Sequence, residues 1–311
     1  MKCNLCNEEK NFRTISTKIR EGDGLILECN NCKHIFQALE MNTDELEEYY
    51  NNIYTATNSL SIEKIEVEEH FNERIKTLDN IIKHISPILE KNMKVLDIGS
   101  GAGALLYTIK NDVKSLYATE LNKSYVQFMN EKGIDAQYGF FEKLKFDTKF
   151  DLIISINALD HMPYPMDILE KIFEDLEENG QIYLELPNRN EALNFFLPDD
   201  KQENFNTFFW HKAHFHYFYE DTIRYALKKV GFKNIKIDCR HQYTIVNFLN
   251  WYFTGDKQKV YVDATTNTKL YTGSDKFELQ MNELFEKTNT DFLNIMKNTK
   301  RGDSLVITAH K

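Results

Sequence analysis

The sequence contains no run of about eighteen or more apolar residues, the length that a membrane-spanning helix requires. Its first ten residues, MKCNLCNEEK, are polar, whereas a signal peptide needs an apolar segment near the N-terminus. We therefore expect no signal peptide, no transmembrane helix, no membrane partner and a cytoplasmic location.

An excess of basic residues is also missing. Lys and Arg number 38 against 48 Asp and Glu, which gives a formal net charge of −10. Because nucleic-acid affinity depends on Lys and Arg that neutralise phosphates, this balance disfavours nucleic acid as a general partner. The length of 311 residues and the hydrophobic content of 42% predict one large or two ordinary globular domains.

Cysteine is scarce, yet four of the five cysteines form two Cys-x-x-Cys pairs near the N-terminus. The predicted ligands are Cys3, Cys6, Cys29 and Cys32. In a reducing compartment this pattern favours a metal over disulfides, and four thiolates give Zn²⁺ a tetrahedral site with no open position. We predict a structural zinc ribbon over residues 1–40, with FRTISTKI and GLILEC as its hairpin. His34 is an alternative ligand, but we expect it at the surface.

Residues 41–90 are predicted to form a helical connector, with a long helix from about Ile62 to Leu89. The residues Tyr49, Tyr50 and Tyr54 recur at helical spacing. They either pack on the following domain or line a substrate cleft.

Strand and helix patterns alternate from Met93 onward. The predicted strands are MKVLDIG, SLYATEL, DAQYG, FDLIISIN, GQIYLELP, NIKIDC and SLVITAHK. The predicted helices are ALLYTIKN, KSYVQFMNEKG, MDILEKIFEDLEENG and YEDTIRYALKKVGF. This order predicts an α/β domain over residues 91–311, with a doubly wound, Rossmann-like parallel sheet and helices on both faces. A helical insertion at about 243–300 precedes the last strand.

A glycine-rich bend, GSGAGA, follows the first of these strands. Glycines let the backbone turn sharply and present N–H groups to a ligand, and the pattern also fits a dinucleotide fold. Asp97 lies where dinucleotide folds usually carry an apolar residue, and it favours a ligand with a cationic centre. Glu120 ends the next strand, where a carboxylate can accept hydrogen bonds from ribose hydroxyls.

Four motifs in order resemble class I S-adenosylmethionine-dependent methyltransferases over about residues 70–240. They are VLDIGSGAG, YATEL, FDLIISINALDHMPYP and GQIYLELPN, with Asp160 in place of the usual Glu of the LEH triplet. The resemblance implies S-adenosylmethionine as cofactor. The cofactor-binding residues that it implies are Asp97, Gly99, Gly101, Gly103, Glu120, Phe140, Phe141, Glu142, Asn157 and Ala158. Core packing is an equal alternative for the two phenylalanines.

The cysteine pairs and the following EEYYNNIY segment resemble the zinc-ribbon methyltransferases of bacterial sugar and surface-glycan biosynthesis. This resemblance implies a small-molecule acceptor, a sugar or nucleotide-linked sugar, in polysaccharide biosynthesis. The insertion would then close the acceptor pocket or form a homodimer contact. The first alternative is an RNA or protein methyltransferase whose ribbon binds the polymer. The second alternative is a non-catalytic cofactor-binding or scaffold protein, and the last is a nicotinamide oxidoreductase.

Three histidines, His211, His214 and His216, precede the helix that ends in GF. Aligned on the EHxxYFS segment of the zinc-ribbon group, His214 matches the histidine and Ala213 replaces the glutamate. O- or N-methylation is therefore at least as well supported as C-methylation. Histidine titrates near neutrality, so we predict His214 as the general base, with His161 as the second candidate.

Four aromatic residues suit either stacking on a sugar face or base, or core packing. They are Trp210, Tyr217, Trp251 and Tyr252.

Overall fold

The computed structural model describes residues 2–38, 45, 67–258 and 269–311. Within these ranges there are eleven β-strands and nine α-helices, labelled here in chain order. The strands are β1 (Phe12–Ile19), β2 (Gly22–Cys29), β3 (Ile35–Gln37), β4 (Lys94–Ile98), β5 (Ser115–Glu120), β6 (Asp135–Tyr138), β7 (Phe150–Ile156), β8 (Leu176–Pro187), β9 (His216–Tyr217), β10 (Lys233–Arg240) and β11 (Ser304–His310). The helices are α1 (Val67–Ile75), α2 (Asp79–Ile85), α3 (Ala104–Ile109), α4 (Lys123–Glu131), α5 (Pro165–Asp175), α6 (Asp199–Phe209), α7 (Glu220–Val230), α8 (Ile245–Thr254) and α9 (Lys276–Asn298).

Two compact units make up the chain. The ribbon unit consists of Met1–Ala38, Leu186–Ile223 and Ile237–Val306. The sheet unit consists of Leu39–Glu185, Arg224–Lys236 and Ile307–Lys311.

A seven-stranded sheet in the order β10-β11-β8-β7-β4-β5-β6 provides the frame of the sheet unit. The neighbouring pairs β7–β8, β4–β7, β4–β5 and β5–β6 are parallel. Strand β7 is buried along most of its length, as the continuous apolar run FDLIISI predicts for a strand covered on both faces. The Rossmann-like α/β prediction is confirmed for this sheet, which places the carboxyl ends of β4 and β5 side by side.

Local sequence signals account for the start of two helices. Asn122 caps α4, because its side-chain oxygen accepts hydrogen bonds from the N–H groups of Ser124 and Tyr125. Asp275 and Glu278 form a reciprocal capping box at the start of α9.

Two predicted helices differ from the structure. The helix predicted to reach Gly180 ends at Asp175, because Leu176 pairs with Phe150 and begins β8. The predicted helix up to Leu89 is broken into α1 and α2, and the side-chain hydroxyl of Thr77 donates to the carbonyl of Arg74 at this break.

The ribbon unit contains a four-stranded sheet in the order β1-β2-β3-β9. Strands β1 and β2 form the predicted antiparallel hairpin. The two-residue strand β9 extends this sheet, because Ile35 pairs with Tyr217 and Phe36 pairs with His216. Sequence patterns predicted neither this added strand nor α6.

Some predictions fall on residues that the structure does not describe. Tyr49, Tyr50 and Tyr54, most of the connector before Val67 and residues 259–268 of the insertion lie outside the described ranges. In the described residues of the insertion, the aromatic segment forms α8 and the predicted terminal helix is α9. No helix in the described ranges is both long and apolar enough to cross a membrane.

Candidate functional site

The glycine-rich bend connects β4 to α3. Its three glycines adopt left-handed backbone conformations, with φ of +72° at Gly99, +56° at Gly101 and +78° at Gly103. The N–H of Gly99 donates to the carbonyl of Thr119 at 2.9 Å, which holds the bend against the end of β5. This geometry aims the loop backbone at the edge where the two strands end.

The three glycines differ in the space beside them. A Cβ atom on Gly99 would lie 2.7 Å from the Cβ of Ala158, and one on Gly103 would lie 2.6 Å from Cγ of Met129. A Cβ on Gly101 would have only Nε2 of His70 within reach, at 4.0 Å. Gly101 therefore borders open space in which a ligand fits, whereas Gly99 and Gly103 allow close packing.

Glu120 ends β5 and turns its carboxylate toward the bend. The carboxylate accepts hydrogen bonds from the N–H groups of Gly101 at 2.9 Å, Leu121 at 2.8 Å and Asn122 at 3.0 Å. Burial raises the pKa of Glu120, and these three donors oppose that rise. A carboxylate fixed in this way beside a glycine loop fits the ribose hydroxyls of an adenosyl ligand.

Asp97 is buried in β4, with 4% of its surface exposed. Burial and repulsion from Glu120 raise the pKa of Asp97 to about 8, and attraction by Arg74 opposes that rise. A cationic ligand near this carboxylate would compensate for its lost hydration, so the group fits a sulfonium better than a neutral ligand.

A cavity opens beside this loop. Its lining includes His70, Arg74, Asp97, Gly99, Gly101 and Ile156. Sequence reasoning missed the first two, which lie four residues apart on α1 and so face the same side of that helix. The ring of His70 stacks on Tyr125 with the ring centroids 5.4 Å apart, and burial lowers its pKa.

The remaining predicted cofactor residues are spread around this region. Phe141 is buried in the core, where Nζ of Lys171 lies 5.0 Å from its ring centroid, and Phe140 is half-buried. Glu142 and Asn157 are exposed, and Asn157 has a positive φ of 50°. None of these residues, nor Ala158, Gly103 or Glu120, is among the described residues that line the cavity. Their contact with a cofactor stays a prediction.

The four N-terminal cysteines converge. The Sγ atoms of Cys3 and Cys32 lie 3.6 Å apart, those of Cys6 and Cys29 lie 3.5 Å apart, and all four sulfurs lie within 4.8 Å of one another. Tetrahedral zinc with Zn–S bonds of about 2.3 Å requires sulfurs about 3.8 Å apart, so the donor set fits Zn²⁺.

The two turns that carry these cysteines have the same backbone geometry. The N–H of Asn7 donates to the carbonyl of Cys3 at 2.9 Å, and the N–H of Lys33 donates to that of Cys29 at 2.8 Å. Each donor has a positive φ, 67° at Asn7 and 63° at Lys33. Two equivalent turns thus present two thiols each, which is how a Cys-x-x-Cys pair serves one ion.

The expectation from the sequence that His34 lies at the surface is wrong. It is fully buried, and its Nε2 lies 3.0 Å from Nδ1 of His216. The antiparallel pairing of β3 with β9 places these two rings together. His34 therefore packs inside the ribbon unit.

The candidate bases differ in their surroundings. His214 is half-buried, with its ring centroid 5.2 Å from that of His211. His211 is engaged by Glu21, whose Oε1 lies 3.1 Å from its Nε2. In the sheet unit His161 is buried, and its Nε2 lies 3.6 Å from Oδ2 of Asp160.

Most of the aromatic candidates for substrate stacking belong to the core. Trp210 and Tyr217 are buried together, with centroids 4.6 Å apart at 90°. Trp251 is buried against Phe205 at 4.9 Å, whereas Tyr252 is exposed.

Comparison with known proteins gives the site a family. Residues 68–237 match the family model described as a methyltransferase domain. An uncharacterized methyltransferase of Staphylococcus carnosus is 29% identical over 94 residues, which are 29% of this chain and 45% of that protein. A tRNA U34 carboxymethyltransferase of Tolumonas auensis is 26% identical over 170 residues, 51% of this chain and 49% of that protein. The matches thus span about half the length of these curated relatives or less.

A solved structure shares the fold. Phosphoethanolamine N-methyltransferase 2 of Haemonchus contortus, in complex with S-adenosyl-L-methionine, aligns with a TM-score of 0.52 and 12% identity. The alignment covers 89% of this chain and 61% of that one. With more than half of its residues in the matched segment and this sheet beneath the glycine loop, the chain belongs to the methyltransferase-domain family.

Proposed function

We propose that the protein is an S-adenosylmethionine-dependent methyltransferase. The observation that carries the proposal is the pairing of Glu120, fixed beside Gly101 at the end of β5, with the buried carboxyl of Asp97 at the end of β4. The first suits a ribose and the second suits a cationic centre. An oxidised nicotinamide dinucleotide also has a ribose for Glu120 and a cationic ring for Asp97, so the methyltransferase-domain match over residues 68–237 is what favours S-adenosylmethionine over it.

The cofactor would supply a methyl carbon activated by a sulfonium. Asp97, Gly99 and Gly101 would hold its methionyl and ribosyl parts, Glu120 would bind the ribose, and Phe140 would border the adenine. The chain's own contribution is alignment and exclusion of water, because methyl transfer is an in-line displacement. A base is needed only for an acceptor that arrives protonated, and His214 is proposed for that role, with His161 as the alternative.

The acceptor is proposed to be a sugar or nucleotide-linked sugar. The support is the zinc-ribbon resemblance together with the net charge of −10, which disfavours a polyanionic polymer. The zinc ion is proposed to be structural, since four cysteines leave no open position on the metal.

Transfer to RNA is the second candidate, because a tRNA U34 carboxymethyltransferase is among the relatives. Methyl transfer from radiolabelled S-adenosylmethionine to a panel of nucleotide sugars and to total tRNA separates the two. We expect label in the nucleotide-sugar fraction, abolished by Glu120→Ala. Label only in tRNA would establish the second candidate instead.

The role of His214 has its own test. His214→Gln should lower kcat strongly while leaving S-adenosylhomocysteine binding unchanged, and the acidic limb of the pH profile should disappear. Glu174→Gln, at an exposed position of α5 with no proposed role, serves as a control for nonspecific damage. An unchanged pH profile in the His214 variant would move the role to His161.

A further inference from the structure

Arg189, which follows β8 in the ribbon unit, has buried donor groups that the proposed function does not use. Its Nε and Nη1 atoms are buried and have no hydrogen-bond partner among the described residues. Leaving buried donors of a charged group without partners costs free energy, because the donors lose their hydration and gain no hydrogen bond in return. An arginine kept in this state is a candidate for binding an anion.

Neighbouring segments hold the backbone of Arg189 rigidly. Its N–H donates to the carbonyl of Phe218 at 2.8 Å, and its own carbonyl accepts from the side chain of Asn194 at 3.2 Å. The preceding residue, Asn188, is buried and its side chain donates to the carbonyl of Gly302 at 2.9 Å. The guanidinium is therefore presented from a fixed position, which lowers the entropic cost of binding a ligand.

Aromatic faces surround the Arg189 guanidinium. Its central carbon lies 4.9 Å from the ring centroids of both Phe195 and Trp210, and 5.7 Å from that of Phe209. Aromatic faces orient a guanidinium but do not accept its in-plane N–H bonds. An oxyanion that reaches Nε and Nη1 would accept two such N–H bonds in parallel.

A second arginine lies on the same aromatic side chain. The central carbon of Arg301 is 5.3 Å from the ring centroid of Phe195 and 5.1 Å from that of Phe196. Its Nη1 donates to the carbonyl of Asn190 at 3.1 Å. Phe195 and Phe196 are 47% and 56% exposed, so two accessible aromatic rings lie beside the two guanidinium groups.

Acidic groups lie near this pair, and Glu191 and Glu28 attract the Arg189 guanidinium. Glu28 is ion-paired with Arg13 at 2.9 Å, and Asp303 lies 3.0 Å from Nδ1 of His241. Burial and repulsion from Asp303 raise the pKa of Glu191 well above its usual value, and attraction by Arg189 opposes that rise. Arg189 and Arg301 thus bring two basic side chains to the same aromatic ring in a chain whose net charge is −10.

We propose that Arg189 and Arg301 bind the diphosphate of a nucleoside-diphosphate acceptor, with Phe195 and Phe196 contacting its base or sugar. This inference rests on the proposed function, because it specifies the substrate class of the same enzyme. Two arginines suit a compact dianion, whereas the acidity of the whole chain opposes an RNA backbone.

The test is calorimetric titration of the full chain with UDP, inorganic pyrophosphate, uridine and a short single-stranded RNA. Wild type should bind UDP and pyrophosphate, with uridine much weaker. Arg189→Gln should weaken UDP binding roughly 10- to 100-fold, as expected for losing charge-assisted hydrogen bonds, and Arg301→Gln should weaken it less. Arg189→Lys should recover only part of the loss, because an ammonium lacks the guanidinium fork.

Lys297→Gln is the matched control, because it removes one positive charge from a half-exposed ion pair with Asp238 in the same unit. UDP binding that is absent in wild type, or equal in Arg189→Gln and Lys297→Gln, would overturn the inference. Tighter, Arg189-dependent binding of the RNA would overturn its small-molecule form.

Binding of S-adenosylhomocysteine and thermal unfolding are measured on the same samples. If Arg189→Gln loses cofactor affinity and thermal stability as well, Arg189 supports the fold and the inference is wrong. Failure of wild type to bind S-adenosylhomocysteine would instead count against the proposed function, and the UDP result would still be readable.

Discussion

The carboxylate of Glu120 accepts a hydrogen bond from the backbone N–H of Gly101 at 2.9 Å. This contact joins the end of β5 to the bend after β4, although the two residues are 19 positions apart in the chain. It ties the shape of the loop to the group proposed to bind the ribose. A ligand that hydrogen-bonds to the Glu120 carboxylate therefore also contacts a group that holds the glycine loop in place.

Substitution of Glu120 should weaken both S-adenosylmethionine and S-adenosylhomocysteine. Glu120→Gln removes the charge and part of the acceptor capacity, so we expect a loss of roughly 10- to 100-fold in affinity for each ligand. Calorimetry measures both values. Glu174→Gln, at an exposed position of α5, is the control, and equal affinities in the two variants would refute the ribose assignment.

Asp97 predicts a pH dependence that separates the two ligands. Its pKa of about 8 means that the free protein holds Asp97 protonated below that pH, and a sulfonium favours the ionised form. The affinity ratio of S-adenosylmethionine to S-adenosylhomocysteine should therefore rise as pH increases from about 6.5 to about 8, and then level off. Because both ligands carry the same amino and carboxylate groups, the ratio isolates the sulfonium. Asp97→Asn should flatten the profile, and a flat profile in wild type would contradict this role.

Asp97 also makes the stability of the fold depend on pH. Stability falls as pH rises, whereas the affinity ratio increases. The pKa of Asp97 is higher in the folded state than its ordinary value of 3.8. Protonated Asp97 therefore stabilises the folded state at low pH, and this stabilisation is lost as pH rises. Between about pH 4 and pH 8 the stability of the ligand-free protein should fall relative to that of Asp97→Asn. Chemical denaturation at several pH values measures this difference, and parallel curves for the two proteins would exclude it.

Two glycine substitutions should have separable effects. Gly101→Ala places a residue at a positive φ, which costs about 1 kcal/mol, and its Cβ enters open space beside the loop. Gly99→Ala also introduces a clash with Ala158, so its free energy of unfolding should be lower than that of Gly101→Ala by about 1 to 3 kcal/mol. We expect Gly101→Ala to fold and to lose cofactor affinity by roughly tenfold or more. Full affinity in a stable Gly101→Ala protein would show that the ligand does not approach this bend.

The cysteine cluster should hold one zinc ion per chain. Cys32→Ser should abolish this zinc and lower the thermal stability of the ribbon unit, because the metal links the two Cys-x-x-Cys turns. Cys239→Ser is the matched control, since Cys239 is buried outside the cluster. Metal analysis and thermal unfolding check both variants. A stable Cys32→Ser protein without zinc that binds cofactor yet fails to transfer methyl would indicate a catalytic metal.

The parts of the fold that sequence predicted are those set by local patterns. The run FDLIISI reads as a buried strand, and the bend at Gly99 reads as a strand-to-helix turn, because hydrophobic periodicity and glycine act over a few residues. Glu120 was predictable for the same reason, since it ends a strand at a fixed distance from the loop.

Long-range pairing accounts for what sequence patterns missed. The burial of His34 depends on β9, which is 182 residues away from it and only two residues long. His70 and Arg74 lie on a helix whose apolar spacing does not reveal what it faces. The buried N–H groups of Arg189 are likewise defined by aromatic side chains from other segments.

Binding of the cofactor tests the central claim most directly. The purified protein is titrated by calorimetry with S-adenosylmethionine, S-adenosylhomocysteine and NADH under the same conditions. We predict micromolar binding of the two adenosyl ligands, weakened by Glu120→Ala, and no binding of NADH. Binding of NADH without the adenosyl ligands would contradict the account and would replace the methyltransferase proposal with an oxidoreductase.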